Sequence, residues 1–309
     1  MVRYMTIFTS LFACAFLLVS FQSVEAENAA PKSAAVEGQV PEAAQETAPT
    51  TDTEKHNAID DIRFLETNWM PKLLLIIDNG PVLLDRETPE GTEVFYIKPP
   101  PLNSSQQTKD EIVYLHEIAK TERTPDAIKR ILYENSGISA HSMFVNEGLI
   151  DEQNYKTLSL MEIIDNDNMF FILERKKYFE RPRPSELDPT LKTVIDNPPH
   201  AAYPSGHATQ TYINALVLAD FDPENADVYK QFAIDVAHRR EIAGVHYPSD
   251  SEAGRGLAAD VLARLRTIPI FEKKYQAAKL SYIKPDLSGK NLEKADDMTT
   301  DETPEKSTY

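Results

Sequence analysis

A long stretch of helical hydrophobic periodicity in the middle of the chain constrains the fold more than any other feature. Residues 151–179, DEQNYKTLSLMEIIDNDNMFFILERKKYF, carry apolar side chains at the spacing of one helix face, at positions 158, 161, 164, 169 and 172. One apolar stretch, residues 71–84, fits either a buried helix or a strand, and alternating strand patterns are otherwise sparse. The sequence therefore predicts an all-α domain. Further helical patterns begin at Thr108, Thr124, His207, Glu224, Ser249 and Pro269.

The first 26 residues have the pattern of an export signal. Arg3 is followed by the apolar run Ile7–Phe21 and then by small residues at Val24 and Ala26, which predicts a signal peptide cleaved after Ala26. An uncleaved anchor is the weaker alternative, because the run is short for a permanent span. The single cysteine, Cys14, lies inside this segment, so the mature chain is expected to form no disulfide.

Composition separates a folded middle from its flanks. Residues 27–53 are dominated by Ala, Glu, Pro and Thr without apolar periodicity, and residues 285–309 are similar and acidic. These segments predict a disordered linker and a disordered tail. The intervening residues, 54–284, are long enough for one compact helical domain.

The charge balance limits the classes of partner. The chain has 49 acidic and 32 basic residues, a formal net charge of −17. Such a surface is unfavourable for nucleic acid and for anionic membranes, so any bound anion must be held by a local basic cluster. No apolar run of spanning length follows the predicted signal, so no membrane span is expected. The sequence is compatible with a homo-oligomer but does not determine the oligomeric state.

Two short segments suggest an anion and a proton transfer. In YPSGH, Ser205 and Gly206 begin a predicted helix, whose first N–H groups attract anions, and His207 can move a proton near neutral pH. In KKYFERPRP, Lys176 lies on the last turn of the long helix and Arg183 just beyond it. Each has an ordinary alternative, a helix N-cap at Ser205 and basic residues at a helix C-terminus.

A third segment, RREIAGVHYPSD, places a histidine four residues before a carboxylate. Gly244 and Pro248 predict a helix that ends just before His246. If Asp250 holds Nδ1–H of His246, then Nε2 is bare and aimed, as an oriented nucleophile or base requires. A packed turn with an exposed acid pair is the ordinary alternative.

In chain order, the three segments resemble the signature of the phosphatidic acid phosphatase type 2 superfamily, which includes the vanadium haloperoxidases. The segment from Tyr96 to Leu280 is also similar to the bacterial class A nonspecific acid phosphatases. The resemblance implies a helical-bundle fold and a metal-independent phosphomonoesterase without a cofactor. It also implies small phosphomonoester substrates and, with the predicted signal, a secreted and periplasmic enzyme.

The resemblance also implies a role for each matching residue. His246 would attack phosphorus, Asp250 would orient it, and His207 would protonate the leaving alcohol and then activate water. His200, outside the matching positions, is predicted to be a loop histidine without catalytic duty, with a place at the rim of the pocket as the alternative. The implied phosphate ligands are Lys176, Arg183, Ser205, Gly206 and Arg240.

One position departs from the family pattern. The third segment of the family begins Ser-Arg, whereas here Arg239 precedes Arg240. Arg239 either removes a supporting hydrogen bond or extends the basic cluster. The alternatives to a broad phosphatase are a nucleotide-preferring, apyrase-like enzyme, a vanadium-dependent haloperoxidase and a non-catalytic phosphate-binding module.

No metal site is expected from ligand spacing. The run Asp165–Asn168 contains two acids and two amides, but it lacks the glycine and the later acid of a calcium loop. It is therefore predicted to be a solvated helix face.

Overall fold

The computed structural model of the chain describes residues 57–86 and 95–288. Within those ranges the chain forms ten α-helices and no strand, which confirms the all-α prediction. The helices are α1 (Pro71–Asn79), α2 (Gln106–Thr121), α3 (Pro125–Glu134), α4 (Ala140–Asn146), α5 (Tyr155–Phe179), α6 (Pro184–Leu187), α7 (Gly206–Phe221), α8 (Ala226–Ile242), α9 (Pro248–Leu265) and α10 (Pro269–Leu280).

Local signals account for most helix ends. Thr124 caps α3 through its side chain, 3.1 Å from the backbone nitrogen of Ala127, and Ser205 caps α7. The ambiguous stretch 71–84 contains helix α1, which ends where Gly80 takes a φ of +80°. The predicted stop before His246 is confirmed, since α8 ends at Ile242.

Several predicted helix starts differ from the structure by one or two residues, and at two of them a side chain near the start bonds elsewhere. Helix α9 begins at Pro248, one residue before Ser249, whose hydroxyl donates to Glu111. Asp222, just before the helical pattern that begins at Glu224, has the residue type of an N-cap, but the 3₁₀ turn Pro223–Asn225 comes first. The buried carboxylate of Asp222 instead accepts hydrogen bonds from Tyr229 and Asn225.

Helix α7 is the centre of the core and packs along α8 and α9. Its contact with α9 is close at Gly254, where a Cβ atom would lie 2.7 Å from the carbonyl oxygen of Ser205 and 3.0 Å from Cβ of Ala208. No side chain fits there, so glycine allows the two helices to approach at the end of α7 that begins with His207.

The prediction of a solvated face at Asp165–Asn168 holds for Asn166, which is exposed, and is wrong for Asp167 and Asn168. Asp167 and Asn168 are fully buried on α5. The Asp167 carboxylate accepts backbone N–H groups from the segment after α1, at 2.9 Å from Leu83 and 2.7 Å from Leu84. These donors satisfy a buried carboxylate, and periodicity within α5 alone does not reveal them.

The predicted signal (1–26) and linker (27–53) lie outside the described residues, as does the predicted tail beyond residue 288. Leu287, which follows the predicted domain boundary at 284, is buried against the main hydrophobic cluster. In the described part of the chain, no helix combines the length and apolar character needed to cross a bilayer. No cluster of three or more potential metal ligands occurs there either.

Candidate active site

The eight residues predicted from the three segments come together where several helix ends meet. Lys176 lies in the last turn of α5, Arg183 precedes α6, and Ser205 to His207 begin α7. The third segment adds Arg240 from the last turn of α8, His246 from the following connection and Asp250 from the first turn of α9. Direct hydrogen bonds join Arg183 to His246, His246 to Asp250, and the Ser205 amide to the Asp250 carbonyl.

The partners of His246 fix its tautomer. Nδ1 lies 2.9 Å from Oδ2 of Asp250, and Nε2 lies 3.1 Å from Nη1 of Arg183. Arginine can only donate, so Nε2 must carry the lone pair and Nδ1 the proton. Burial, with the positive charge of Arg183, lowers the pKa of His246 well below its ordinary value. The ring is therefore neutral with a basic nitrogen at Nε2.

Asp250 is fully buried and bonded at both oxygens. Oδ1 accepts from Arg181 at 2.6 Å, and Oδ2 accepts from the backbone N–H of Tyr247 as well as from His246. Burial alone would raise the pKa of Asp250, but the positive charge of Arg181 and the bond from His246 outweigh burial and hold it well below its usual range. Asp250 thus remains an anion that accepts the Nδ1 proton of His246.

Arg181 was missed by the sequence reasoning. It is 2% exposed, lies 3.8 Å above the Tyr247 ring and pairs with both Asp250 and Glu111. Glu111 also accepts the N–H and hydroxyl of Ser249. One signal was available: prolines extend the backbone of RPRP, and in extended backbone Arg181 and Arg183 project to the same side.

Lys176 and Arg183 are buried cations held by backbone oxygens. Lys176 Nζ donates to the carbonyls of Ala201 and Ala202 at 2.8 Å each, and burial together with Arg183 lowers its pKa well below the usual value. Arg183 donates to the carbonyls of His200 and Val245, and burial lowers its pKa to about 10. His200 also contacts Arg183 through its ring, 3.0 Å from Nη2. The side chains of these two cations form no ion pair with a carboxylate in the described ranges.

His207 faces the end of α3. Its Nε2 lies 3.3 Å from the backbone oxygen of Glu134, so Nε2 carries a proton and Nδ1 is the other functional atom. Burial, with the charge of Arg240, lowers the pKa of His207 to about 3. The Ser205 hydroxyl accepts from the N–H of Ala208, which leaves its own proton for another acceptor. Gly206 occupies the first turn, where N–H groups have no partner within the helix.

Arg240 is pinned at one nitrogen. Nη2 donates to a carboxylate oxygen of Glu134 at 2.8 Å and to the carbonyl of Ile131 at 3.2 Å. Its Nε and Nη1 are buried and have no hydrogen-bond partner among the described residues. Arg239 uses its Nε to bind the other oxygen of Glu134 at 2.7 Å. Arg239, which stands where the family has serine, is thus paired with Glu134, an acid that the sequence reasoning missed. An acid at the C-terminal end of a helix such as α3 is unfavourable for the helix dipole, so it is an unusual residue at this position.

Comparison with known proteins confirms the acid phosphatase resemblance. The chain is 36% identical over 120 residues to a non-specific acid phosphatase of Salmonella typhimurium, covering 38% of this chain and 46% of that one. It is 32% identical over 136 residues to a non-specific acid phosphatase of Salmonella typhi, covering 43% of this chain and 52% of that one. The chain thus spans about half the length of these curated relatives. No family model matches it.

Two solved structures align with part of the chain. A bacterial vanadium-dependent iodoperoxidase aligns with a TM-score of 0.44 and 17% identity, over 54% of this chain and 51% of that one. A transmembrane PAP2-type phosphatidylglycerolphosphate phosphatase from Bacillus subtilis aligns with a TM-score of 0.38 and 13% identity, over 66% of this chain and 93% of that one.

Proposed function

We propose that the chain is a metal-independent acid phosphatase that hydrolyses varied phosphomonoesters through a phosphohistidine at His246. The observation that carries the proposal is the fixed tautomer of His246, with Nδ1 bonded to Asp250 and a basic Nε2 beside Arg183. The depressed pKa of His246 supports work at acid pH, because the nucleophile stays unprotonated there.

The charge of the site supports a phosphate dianion as its ligand. Arg181 pairs with both Asp250 and Glu111, and Arg239 pairs with Glu134. Lys176, Arg183 and the free nitrogens of Arg240 are left as buried positive groups, which are costly unless an anion joins them.

The reaction follows from these positions. Nε2 of His246 forms a bond to phosphorus as the ester P–O bond breaks, and His207 gives its proton to the leaving alcohol oxygen. Before attack, a phosphate oxygen must take over the hydrogen bond that Arg183 donates to Nε2. Water, deprotonated by His207, then displaces the imidazole from phosphorus and releases inorganic phosphate. The cations stabilise charge on the equatorial oxygens in both steps.

His207 needs its ligand to become an acid. With a pKa of about 3 it is neutral at mildly acidic pH, but a phosphate dianion nearby favours the charged imidazolium and raises that pKa. Substrate binding would thus load the proton that the leaving group receives.

Hydrolysis of nitrophenyl phosphate by the purified chain tests the proposal. We expect turnover that survives exhaustive chelation and is competitively inhibited by orthovanadate. Loss on chelation with recovery on adding a divalent ion would overturn metal independence, and peroxide-dependent bromide oxidation by the vanadate-loaded protein would favour a haloperoxidase. Phosphate binding without turnover would identify a non-catalytic module.

Substrate range and export are tested separately. Comparable kcat/KM for nucleotide and non-nucleotide monoesters is the expected result, and a strong preference for nucleoside di- or triphosphates would favour the apyrase-like alternative. The pattern of residues 1–26 supports export to the periplasm. A mature N-terminus at Glu27 in cell fractions would agree with it.

A further inference from the structure

Glu134, the last residue of α3, has a fully buried side chain among three arginines. Its carboxylate lies 3.2 Å from Nε of Arg130, 2.7 Å from Nε of Arg239 and 2.8 Å from Nη2 of Arg240. Burial of such a carboxylate is unfavourable unless its oxygens are paired, and here both oxygens are.

The same residue contacts the second histidine through its main chain. The backbone oxygen of Glu134 accepts from Nε2 of His207 at 3.3 Å. One residue, distant in sequence from all three motifs, therefore touches both Arg240 and His207.

The bond to Arg240 determines which of its donors remain for a ligand. Glu134 and the Ile131 carbonyl occupy Nη2, and Nε and Nη1 are left without partners in the described part of the chain. A guanidinium is planar, so fixing one nitrogen and burying the group restricts the directions of the other two. Such fixed donors lose little entropy when they bind a phosphate oxygen.

We propose that Glu134 is a positioning residue that orients Arg240 and His207 toward the phosphate, an inference that rests on the proposed function. A single carboxylate would cancel the charge of Arg240, but Arg130 and Arg239 supply further positive charge, and Arg130 also pairs with Glu147. Because Glu134 shares its charge among three guanidiniums, it does not cancel the charge of Arg240 alone. Arg239, at the family's serine position, thus lets an acid hold Arg240 without neutralising it.

The test compares Glu134→Gln with a matched control, Asp222→Asn. Both acids are fully buried and hydrogen-bonded, but Asp222 follows the end of α7 that is opposite to His207, about 24 Å away along the helix. Titration calorimetry with inorganic phosphate and thermal unfolding are measured for wild type and both variants. We expect both variants to unfold at lower temperature and only Glu134→Gln to lose phosphate affinity, by roughly tenfold or more.

Glu134→Asp covers the case in which Glu134→Gln does not fold. It keeps the charge but shortens the side chain by one methylene group, so the carboxylate should no longer reach Arg240 and phosphate binding should also be weaker than in wild type. A folded Glu134 variant with phosphate affinity within about twofold of wild type would overturn the positioning role alone. A wild-type chain that neither binds phosphate nor hydrolyses its esters would overturn the proposed function as well.

Discussion

The two histidines of the site differ in how many of their polar neighbours are already paired. On the nucleophile side, defined by His246, Asp250 and Arg181, both ring nitrogens and both carboxylate oxygens have partners. On the side of the proposed acid, here called the acid side and made of His207, Arg240 and Glu134, both oxygens of Glu134 are paired, but Nε and Nη1 of Arg240 have no partner among the described residues.

Both sides contain a buried carboxylate held by an arginine, but the carboxylate orients a different group on each side. A buried carboxylate is held by an arginine from another segment, Asp250 by Arg181 and Glu134 by Arg239. Asp250 faces an imidazole and fixes its tautomer, whereas Glu134 faces a guanidinium and fixes its direction. A nucleophile must be ready before substrate arrives, while an acid and an anion ligand must respond to it. The difference in pairing therefore agrees with the roles proposed for the two sides.

The largest expected effect is on the nucleophile side. His246→Ala should lower kcat by at least about 10⁴-fold, because it removes the nitrogen proposed to form the covalent intermediate. Chemical quenching at alkaline pH with a radiolabelled monoester should trap phosphate on the wild type and not on the variant. Phosphate still trapped on His246→Ala would reverse the assignment of the two sides.

On the acid side, the loss should depend on the leaving group. His207→Ala should reduce kcat/KM for an alkyl phosphate on the order of 10²-fold or more, and much less for nitrophenyl phosphate, whose leaving group needs little protonation. The contrast requires that phosphoenzyme formation limits both substrates, which burst kinetics establishes first. Equal losses under that condition would show that His207 does not deliver the proton.

The sequence predicts what lies within one local segment. Ser205 and His207 share a helix start, and His246 lies four residues before Asp250, so each pair was visible within one local segment, and the structure joins His246 to Asp250. The all-α class follows for the same reason, because each helix carries its own periodicity and caps.

The supporting residues escaped because their partners are remote. Glu111 binds Ser249 across 138 residues, and Glu134 reaches Arg240 across 106. The sequence does not reveal the burial of Asp167 on α5, because its backbone donors come from the segment after α1. These pairs form only when the helices pack together, so the local sequence spacing cannot predict them.

A third prediction concerns the charge that supports Asp250. Arg181→Met removes the cation that lowers the pKa of Asp250, so this pKa should rise and His246 should lose its partner at higher pH. The acid limb of kcat/KM against pH should shift upward, with roughly a tenfold loss at acid pH. A carboxylate whose pKa is lower in the folded protein than in the unfolded chain stabilises the fold at pH values above its unfolded-state pKa of about 3.9. This stabilisation is lost as the pH falls through the folded-state pKa. The variant should therefore also be less stable near neutral pH, by about 3 kcal/mol.

The control for this change is Arg266→Met. Arg266 pairs with Glu272, but its side chain is 36% exposed and lies outside the site. This variant should change stability by about 1 kcal/mol or less and leave the pH profile in place. An unshifted profile in Arg181→Met would mean that Arg181 supports only the fold.

The smallest expected effect is at the contact that joins the two sides. The Asp250 carbonyl accepts the Ser205 amide at 2.9 Å, and Gly254 allows α9 to approach α7 there. Gly254→Ala would place a methyl group 2.7 Å from the Ser205 oxygen, a backbone atom that cannot move alone, so α9 must shift. We expect destabilisation of about 1–3 kcal/mol and a lower kcat, measured by urea unfolding and steady-state kinetics.

Gly256 provides the matched control on the same helix, because a Cβ atom there meets no other atom within 4 Å. Gly256→Ala should stabilise the protein by up to about 1 kcal/mol through helix propensity alone, with kcat unchanged. Both changes add the same methyl group to α9, so opposite signs of the change in unfolding free energy separate the effect of packing from that of helix propensity. If Gly254→Ala were as stable and active as Gly256→Ala, the close approach of α9 to Ser205 would not be needed to position Asp250 next to the start of α7.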